Sequence, residues 1–333
     1  MSPSSGYAVT LGTRASRIGL FAAGIGCAVL FTMPFWAGSS TMRLLIEIMC
    51  FLALAQMWNL LAGYGGLISI GQQAFVGIGA YGLFLCANHF GVNPFIAVLL
   101  GGLIAAALAL PVAAITFRLK GGYFAVGTWV VAEVCRLAVS NVQLLGGGSG
   151  QSLTAMRGVP KAVRESTTFW IAAAITVGML ALTYWALRSR FGMALTAIRD
   201  SEAASKSQGI HVQKIKLYVF VFAAFGSGLI GALYYLNALR ISPASAFDLN
   251  WVVIAIFIVV IGGIGTLEGP IIGTLVYFAL RELLADYGSW YLMALGLCAV
   301  IIMIQWPRGI WGTVQHRYDL RFFPIQRRVR LLE

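Results

Sequence analysis

Charge is scarce in this chain, and acidic charge is the scarcer kind. Charged residues make up 10% of the 333 residues, with 11 Asp and Glu against 23 Lys and Arg, whereas hydrophobic residues make up 59% and the mean hydropathy is +0.86. One soluble core could not bury so much apolar surface, which excludes a single soluble domain. Strands of about ten residues with alternating hydropathy are lacking as well, which disfavours an outer-membrane barrel. The composition predicts an all-α polytopic membrane protein.

Sequence motifs for nucleotide binding, metal binding and catalysis are also lacking. No Gly-x-x-x-x-Gly-Lys-[Ser/Thr] sequence occurs, and the glycine run 146–150 has no lysine, so we expect no ATP to bind this chain through a P-loop. Its three histidines are far apart, which indicates neither a metal site nor a nucleophile and base: His89, His211 and His316. Its five cysteines lie in apolar runs and are expected to be packing residues: Cys27, Cys50, Cys86, Cys135 and Cys298. We expect no catalytic residue, metal or cofactor here, which makes a membrane-embedded enzyme a poor interpretation.

Ten apolar runs are expected to cross the membrane as helices, since about 20 apolar residues span a hydrocarbon core of roughly 30 Å. They are residues 18–36, 42–62, 74–90, 94–117, 123–141, 168–187, 217–238, 249–264, 270–285 and 290–306. An uncleaved first helix is favoured over a signal peptide, because its run is long and another follows at once. The chain is interpreted as one membrane domain, 18–306, between an N-terminal segment, 1–17, and a basic tail, 307–333.

The basic residues lie between these runs, so the formal net charge of +12 indicates lipid headgroups rather than nucleic acid as the partner. With both termini in the cytoplasm, the basic clusters at 14–17, 118–120, 188–216 and 307–333 all lie inside. The loop 143–167 is the exception, because it is basic and would lie outside.

Glycine is abundant, with 39 residues, and it clusters in two stretches, 63–82 and 262–273. Small residues let helices in lipid approach closely, and a broken helix is tolerated only where protein or water satisfies its backbone. Both stretches are therefore predicted to be tight crossings or broken helices. Their loose similarity is compatible with an internal repeat, as in many transporters.

The few polar residues in the runs divide into charged pairs and neutral groups. Arg43 with Glu47 and Glu133 with Arg136 are spaced to share a helical face, and the second pair is predicted to be structural rather than a proton relay. Neutral groups around the first glycine stretch either line a path for a zwitterionic solute or form interhelical hydrogen bonds. The predicted path comprises Asn59, Gly71, Gln72, Gln73, Gly77, Gly79 and Tyr81.

One compact polar segment, residues 188–216, separates two long apolar runs. A short apolar face, 193–198, precedes a site where Asp200 or Ser201 can cap a second helix, with Glu202 in its first turn and Gly209 at its end. Such an amphipathic double helix suits docking of a soluble partner. The alternative is a loop that lies on the membrane surface.

Several segments of this chain, in order, carry a family resemblance. They are 59–71 (Asn-Leu-Leu-Ala-Gly-Tyr-Gly-Gly-Leu-Ile-Ser-Ile-Gly), 74–81, 118–125, Glu133 with Arg136, 191–202, 241–243 and 260–270. Over about residues 42–312 the chain resembles the inner-membrane permease subunits of bacterial ABC importers for branched-chain amino acids, of the LivM-like kind. The resemblance implies the ABC importer permease fold in a bacterial inner membrane.

That resemblance implies an ATPase-coupling role for the segment 188–216, which we call the coupling loop, through Gly192, Ala194, Leu195, Ile198, Arg199, Asp200, Glu202, Ala203, Ala204 and Gly209. It also implies a second, LivH-like permease subunit, two ABC ATPase subunits that hold ATP and Mg, and a periplasmic or lipid-anchored solute-binding protein. The cargo would be branched-chain or related amino acids, with urea, short amides or aromatic acids as alternatives. A secondary carrier or channel that works without ATPases is the rival from another class, and the scarcity of unpaired intramembrane acids argues against it.

Overall fold

The computed structural model describes residues 7–10, 14–284, 290–306, 308–318, 322–324 and 328–331. Parts of the predicted segments 1–17 and 307–333 therefore lie outside the described residues. In chain order the helices are α1 Arg14–Thr32, α2 Ser39–Asn59, α3 Gln72–Asn88, α4 Pro94–Thr116, α5 Gly122–Ser140, α6 Lys161–Arg188, α7 Arg190–Asp200, α8 Glu202–Ser207, α9 Val212–Ala238, α10 Pro243–Ala246, α11 Asn250–Gly262, α12 Gly269–Leu284, α13 Trp290–Gln305 and α14 Gly309–Tyr318. The strands are β1 Tyr7–Thr10, β2 Gln151–Ser152, β3 Arg240–Ile241 and β4 Arg328–Leu331.

Each of the ten predicted spans falls on a helix, and the prediction of an all-α polytopic protein is confirmed. Among the described residues, eight helical stretches are long and apolar enough to cross a membrane. The other two spans are on α3, with 17 residues, and α12, with 16. Each of these two short helices begins within one of the glycine stretches.

The first glycine stretch breaks the chain between α2 and α3. A π-helical turn, Leu60–Tyr64, ends α2, and the chain then runs back along it without helical structure. The indole Nε1 of Trp58 donates to the carbonyl of Ser69 at 2.8 Å, and the amide of Ile70 donates to Thr128 Oγ1 on α5 at 3.1 Å. Because of this return, α3 begins at the fully buried Gln72, inside the protein. We call residues 60–71 the first break.

Helices α3, α4 and α9 form the most closely packed part of the core, and glycine makes their approach close. A Cβ atom on Gly79 of α3 would lie 2.2 Å from the carbonyl oxygen of Gly228 on α9, and one on Gly101 of α4 would lie 2.3 Å from the carbonyl oxygen of Gly79. Neither distance leaves room for a side chain. The tight crossing predicted for the first glycine stretch is confirmed at Gly79, whereas its partners Gly101 and Gly228 lie outside both predicted stretches.

The second glycine stretch turns the chain sharply between α11 and α12. Helix α11 ends at Gly262, and Gly263 and Gly265 then adopt positive φ angles of 131° and 73°. A Cβ on Gly262 would lie 1.8 Å from the carbonyl oxygen of Gly269, so the two helices leave the turn in contact. We call residues 263–268 the second break.

The predicted pairing of Arg43 with Glu47 is wrong. Glu47 instead accepts two hydrogen bonds from Arg281 of α12, at 2.7 and 3.0 Å, and Arg43 pairs with the buried Glu165 of α6 at 3.4 Å. Neighbouring helices offer these partners where α2 packs between α6 and α12, so tertiary contacts override the spacing along one helix. Glu133 and Arg136, by contrast, do pair with each other on α5.

Strand β1 pairs with β4 in an antiparallel ladder that sets Tyr7 opposite Leu331, so these two described segments lie side by side. Even numbers of crossings return a chain to the side where it began, so this pairing agrees with ten crossings. Which side faces the cytoplasm stays a prediction.

Candidate functional site: the coupling loop and the two breaks

The coupling loop contains two short helices with separate caps. Ser189 Oγ accepts from the amide of Phe191 at 3.2 Å at the start of α7, and Ser201 Oγ accepts from the amide of Ala204 at 3.3 Å at the start of α8. Of the two capping residues that the sequence offered, Ser201 therefore caps the second helix. Gly209 follows α8 with a φ of +80°, which suits a glycine that ends a helix.

The two sides of this double helix have different roles. Gly192, Leu195 and Ile198 are buried against the rest of the chain, and a Cβ on Gly192 would lie 2.2 Å from the carbonyl oxygen of Leu187. The opposite surface is open and comprises Met193, Asp200, Ala203, Ala204 and Gly209. Three of the predicted coupling residues thus hold the double helix on its own protein, and the open ones are available to a partner.

Arg199 links the coupling loop to the first break. Its Nη1 donates to the carbonyl oxygen of Gly63 at 2.8 Å, while Nε and Nη2 contact Asp200 Oδ1 at 3.0 and 2.9 Å. Gly66, with a φ of +67°, lies directly against the Arg199 side chain. A charged donor on a carbonyl makes a stronger hydrogen bond than a neutral one, so α7 is held to the π-helical turn by a directional contact.

Asn59 links the first break to the second. Its Nδ2 donates to the carbonyl oxygen of Thr266 at 2.8 Å, and its Oδ1 accepts from the amide of Gly265 at 2.8 Å. Both polar atoms of the buried Asn59 side-chain amide thus hydrogen-bond to the backbone of the second break. These two bonds fix the distance and the orientation between the breaks. We call the assembly of Arg199, Gly63, Asn59 and Gly265 the joint.

The sequence found some members of the joint but not their arrangement. Arg199 was predicted to belong to the coupling segment, and Asn59 either to line the path or to form interhelical hydrogen bonds. In the structure both hydrogen-bond to the chain's own backbone, Arg199 to Gly63 and Asn59 to Gly265 and Thr266. The sequence near Asn59 cannot predict its contacts with the second break, since the two breaks lie about 200 residues apart in the chain.

Glu202 ties α8 to the start of α9. Its carboxylate pairs with Lys216 at 2.8 Å and with Lys206 at 3.2 Å. These contacts lower the pKa of Glu202 below its ordinary value, and the hydrogen bond from Lys216 is the largest cause. The carboxylate stays charged to a lower pH in the folded loop than in an unfolded chain.

Acid should therefore loosen α8. A carboxyl with a lowered pKa stabilises the fold above its unfolded pKa, near 4.5, and that contribution is lost as the pH falls through the lower, folded value. We expect a spin label on Gln208→Cys to become more mobile below that pH. In a Glu202→Gln variant the label should show no such acid transition, and an unchanged transition in that variant would contradict the assignment.

The remaining predicted path residues lie in the closed core. Gln72 Oε1 accepts from Ser227 Oγ of α9 at 2.8 Å, and Gly77 packs against the ring of Phe247. Several buried polar atoms in this region have no hydrogen-bond partner: both amide atoms of Gln56, Gln72 Nε2, Gln73 Oε1 and the hydroxyl of Tyr81. Buried polar groups are nearly always satisfied by protein or by ordered water, so these amides have donors and acceptors left over for water or a solute. The path itself stays a prediction.

A bundle of membrane-crossing helices, interrupted by two internal breaks and joined there to an amphipathic double helix outside the apolar spans, defines a transport permease. The match to known proteins is more specific. Residues 40–305 match the model of the family described as the permease component of the branched-chain amino acid transport system, and the chain belongs to that family.

Individual relatives agree with this assignment. The chain is 27% identical over 314 residues to the high-affinity branched-chain amino acid transport system permease protein LivM of Escherichia coli, which covers 86% of this chain and 74% of that protein. LivM of Salmonella typhimurium gives the same values. The probable branched-chain amino acid transport permease protein LivH of Methanocaldococcus jannaschii is 26% identical over 149 residues, 42% of this chain and 45% of that protein. No solved structure matches the chain.

Proposed function

We propose that this chain is one transmembrane subunit of an ATP-driven importer that brings branched-chain or related amino acids into the cytoplasm across a bacterial inner membrane. The observation that carries the proposal is the joint, in which Arg199 of α7 contacts Gly63 and Asn59 connects that turn to Gly265. A double helix that only rested on the membrane surface would not need a charged hydrogen bond to the end of a buried helix.

The joint supplies a route from a soluble motor to the membrane core. Two ATPase subunits hold ATP and Mg, and one of them docks on the open surface of α7 and α8, around Met193, Ala203 and Ala204. When nucleotide closes them, α7 moves and Arg199 carries the motion to the first break; Asn59 transmits it to the second. The nucleotide must favour one state for this to drive transport, because a ligand shifts an equilibrium only through differential affinity.

Movement of the first break changes the access of a solute to the core of the protein. Helix α3 begins inside the protein, at Gln72, and π-helical turns are sites where a helix readily changes register. A shift of the first break moves the start of α3 relative to α2 and α9, where the unpaired amides of Gln56, Gln72 and Gln73 lie. Neutral amides can donate to the carboxylate and accept from the ammonium of a zwitterion without holding either too tightly.

The partners follow from this scheme and from the relatives. A LivH-like permease completes the transmembrane unit, and a solute-binding protein, periplasmic or lipid-anchored, delivers the cargo. Because Mg and ATP stay on the ATPase subunits, this chain does no hydrolysis itself.

The decisive experiment is reconstitution in proteoliposomes. With the second permease, the two ATPases and the binding protein present, labelled leucine should accumulate inside only when ATP is supplied, with urea and an aromatic acid as competitors. Omitting the ATPases is the control. Uptake by this chain alone, without ATP, would establish a secondary carrier or channel and overturn the proposal.

A further inference from the structure

The outward side of α5 combines apolar residues with charge. Tyr123, Val126, Val130, Val134 and Leu137 are all exposed along one side of this helix. The paired Glu133 and Arg136 lie on the same side, with exposed side-chain fractions of 49% and 33%. Nothing in the described residues covers this surface, which we call the α5 face.

The charges on the α5 face lie well inside the span. At a rise of 1.5 Å per residue, Glu133 is about 16 Å from the start of the helix at Gly122 and about 10 Å from its end at Ser140. Long side chains near a helix end can extend to the interface with water. Arg136 does the opposite: its Nε reaches back to Glu133 Oε2 at 2.9 Å, toward the middle of the helix and away from the nearer end.

The exposed surfaces of α4 and α6 have the composition expected for contact with lipid. Helix α4 contains no charged residue, and its exposed positions include Leu99, Leu103 and Leu110. Helix α6 contains none between Thr168 and Leu187, and it exposes Trp170 and Trp185 near the two ends of that stretch, as in the aromatic belts of membrane proteins. The α5 face differs from both, because it interrupts an apolar surface with a full ion pair.

An ion pair in hydrocarbon is unfavourable, since lipid tails replace none of the water that both charges lose. Charged residues within membrane spans therefore face protein or a water-filled cavity. The α5 face is too apolar for a surface in bulk water and too charged for one in lipid. A protein partner that covers the apolar positions and leaves water beside the charges satisfies both requirements.

We infer that the α5 face is the docking surface for the second transmembrane subunit, a LivH-like permease, and that Glu133 and Arg136 border a water-filled seam between the two subunits. The inference rests on the proposed function for the existence of that subunit. A related but distinct subunit fits because the chain matches proteins named LivM and one named LivH, so the two kinds of subunit share a fold. The seam lies outside the closed core, where the predicted path residues are buried.

Photo-crosslinking tests the inference in the assembled transporter. p-Benzoylphenylalanine replaces Val134 on the α5 face or, as a control, Leu103 on α4; the two side chains are similarly exposed, at 59% and 51%. We expect the probe at 134 to give at least about tenfold more adduct with the LivH-like subunit than the probe at 103. Lipid adducts alone at position 134, or adducts with a second copy of this chain, would overturn the inference.

A second arm removes the charge. If the α5 face contacts lipid, a Glu133→Leu, Arg136→Leu double variant should insert and assemble as well as the wild type or better. If the α5 face lies at the subunit seam, the same double variant should lower the yield of the complex with the LivH-like subunit about tenfold, while the amount of this chain in the membrane is unchanged. An unchanged yield of complex would count against the seam. Crosslinking at 134 without ATP-driven uptake would retain the interface and reject the proposed function, so the two can fail separately.

Discussion

Uptake driven by ATP should fall about tenfold to a hundredfold when Arg199 is replaced by glutamine, because a hydrogen bond from a charged donor contributes about 1.5–3 kcal/mol. The ATPases should still bind the complex and hydrolyse ATP, since the open surface of the coupling loop is intact. The loss is in transmission: without the contact from Nη1 to Gly63, motion of α7 no longer reaches the first break. Uptake and hydrolysis measured on the same proteoliposomes give the ratio that reports this uncoupling.

The chain offers a matched control on the same helix. Arg190 is exposed at the start of α7, so Arg190→Gln changes the net charge equally and should leave the ratio of uptake to hydrolysis near that of the wild type. Arg199→Lys should restore part of the coupling, because lysine keeps the charge but not the planar fork of donors. An equal fall in the ratio of uptake to hydrolysis in the Arg190 and Arg199 variants would show that coupling depends on the net charge of α7 rather than on the joint.

The largest expected loss of stability follows from a single methyl group. In Gly79→Ala the new Cβ would lie 2.2 Å from the backbone oxygen of Gly228, and backbone cannot rotate away as a side chain can. Helices α3 and α9 must separate, so we expect a loss of about 3 kcal/mol or more, the upper end for overpacked cores. Thermal unfolding in detergent, followed by the fraction that remains monodisperse, measures it.

Gly178→Ala is the matched control for that experiment. Gly178 lies in α6, and a Cβ there meets nothing within 4 Å. Since alanine favours a helix over glycine by about 1 kcal/mol, this variant should be as stable as the wild type or more so. Similar melting of the two variants would contradict the close approach of α3 to α9.

The sequence predicted the positions of the long helices, and each of the ten predicted spans falls on one, because about 20 apolar residues in a row leave few alternatives in a bilayer. Local chemistry also predicted the double helix in the coupling loop: Ser201 caps α8 and Gly209 ends it. These features depend on residues within one or two turns of each other. Such short-range relations can be recognised without knowing the fold.

Long-range partners could not be predicted in the same way. Spacing along α2 favoured Arg43 with Glu47, whereas packing brings Glu165 and Arg281 closer to them. The contacts of Asn59 with the second break likewise depend on how α2 and α11 meet. A side chain's polarity shows that it needs a partner, but not which of several distant segments provides one.

The division of the coupling loop into an inner and an outer side has a consequence for how such a transporter can change. Leu195 and Ile198 anchor the double helix to its own subunit, whereas Met193, Ala203 and Ala204 are open. Because the two sets share no residue, substitutions that adapt the outer side to a different partner protein need not disturb the contacts that Leu195 and Ile198 make with the rest of the chain. If the proposed ATPases dock on that outer side, replacement of one ATPase by another is separable from changes in the membrane helices.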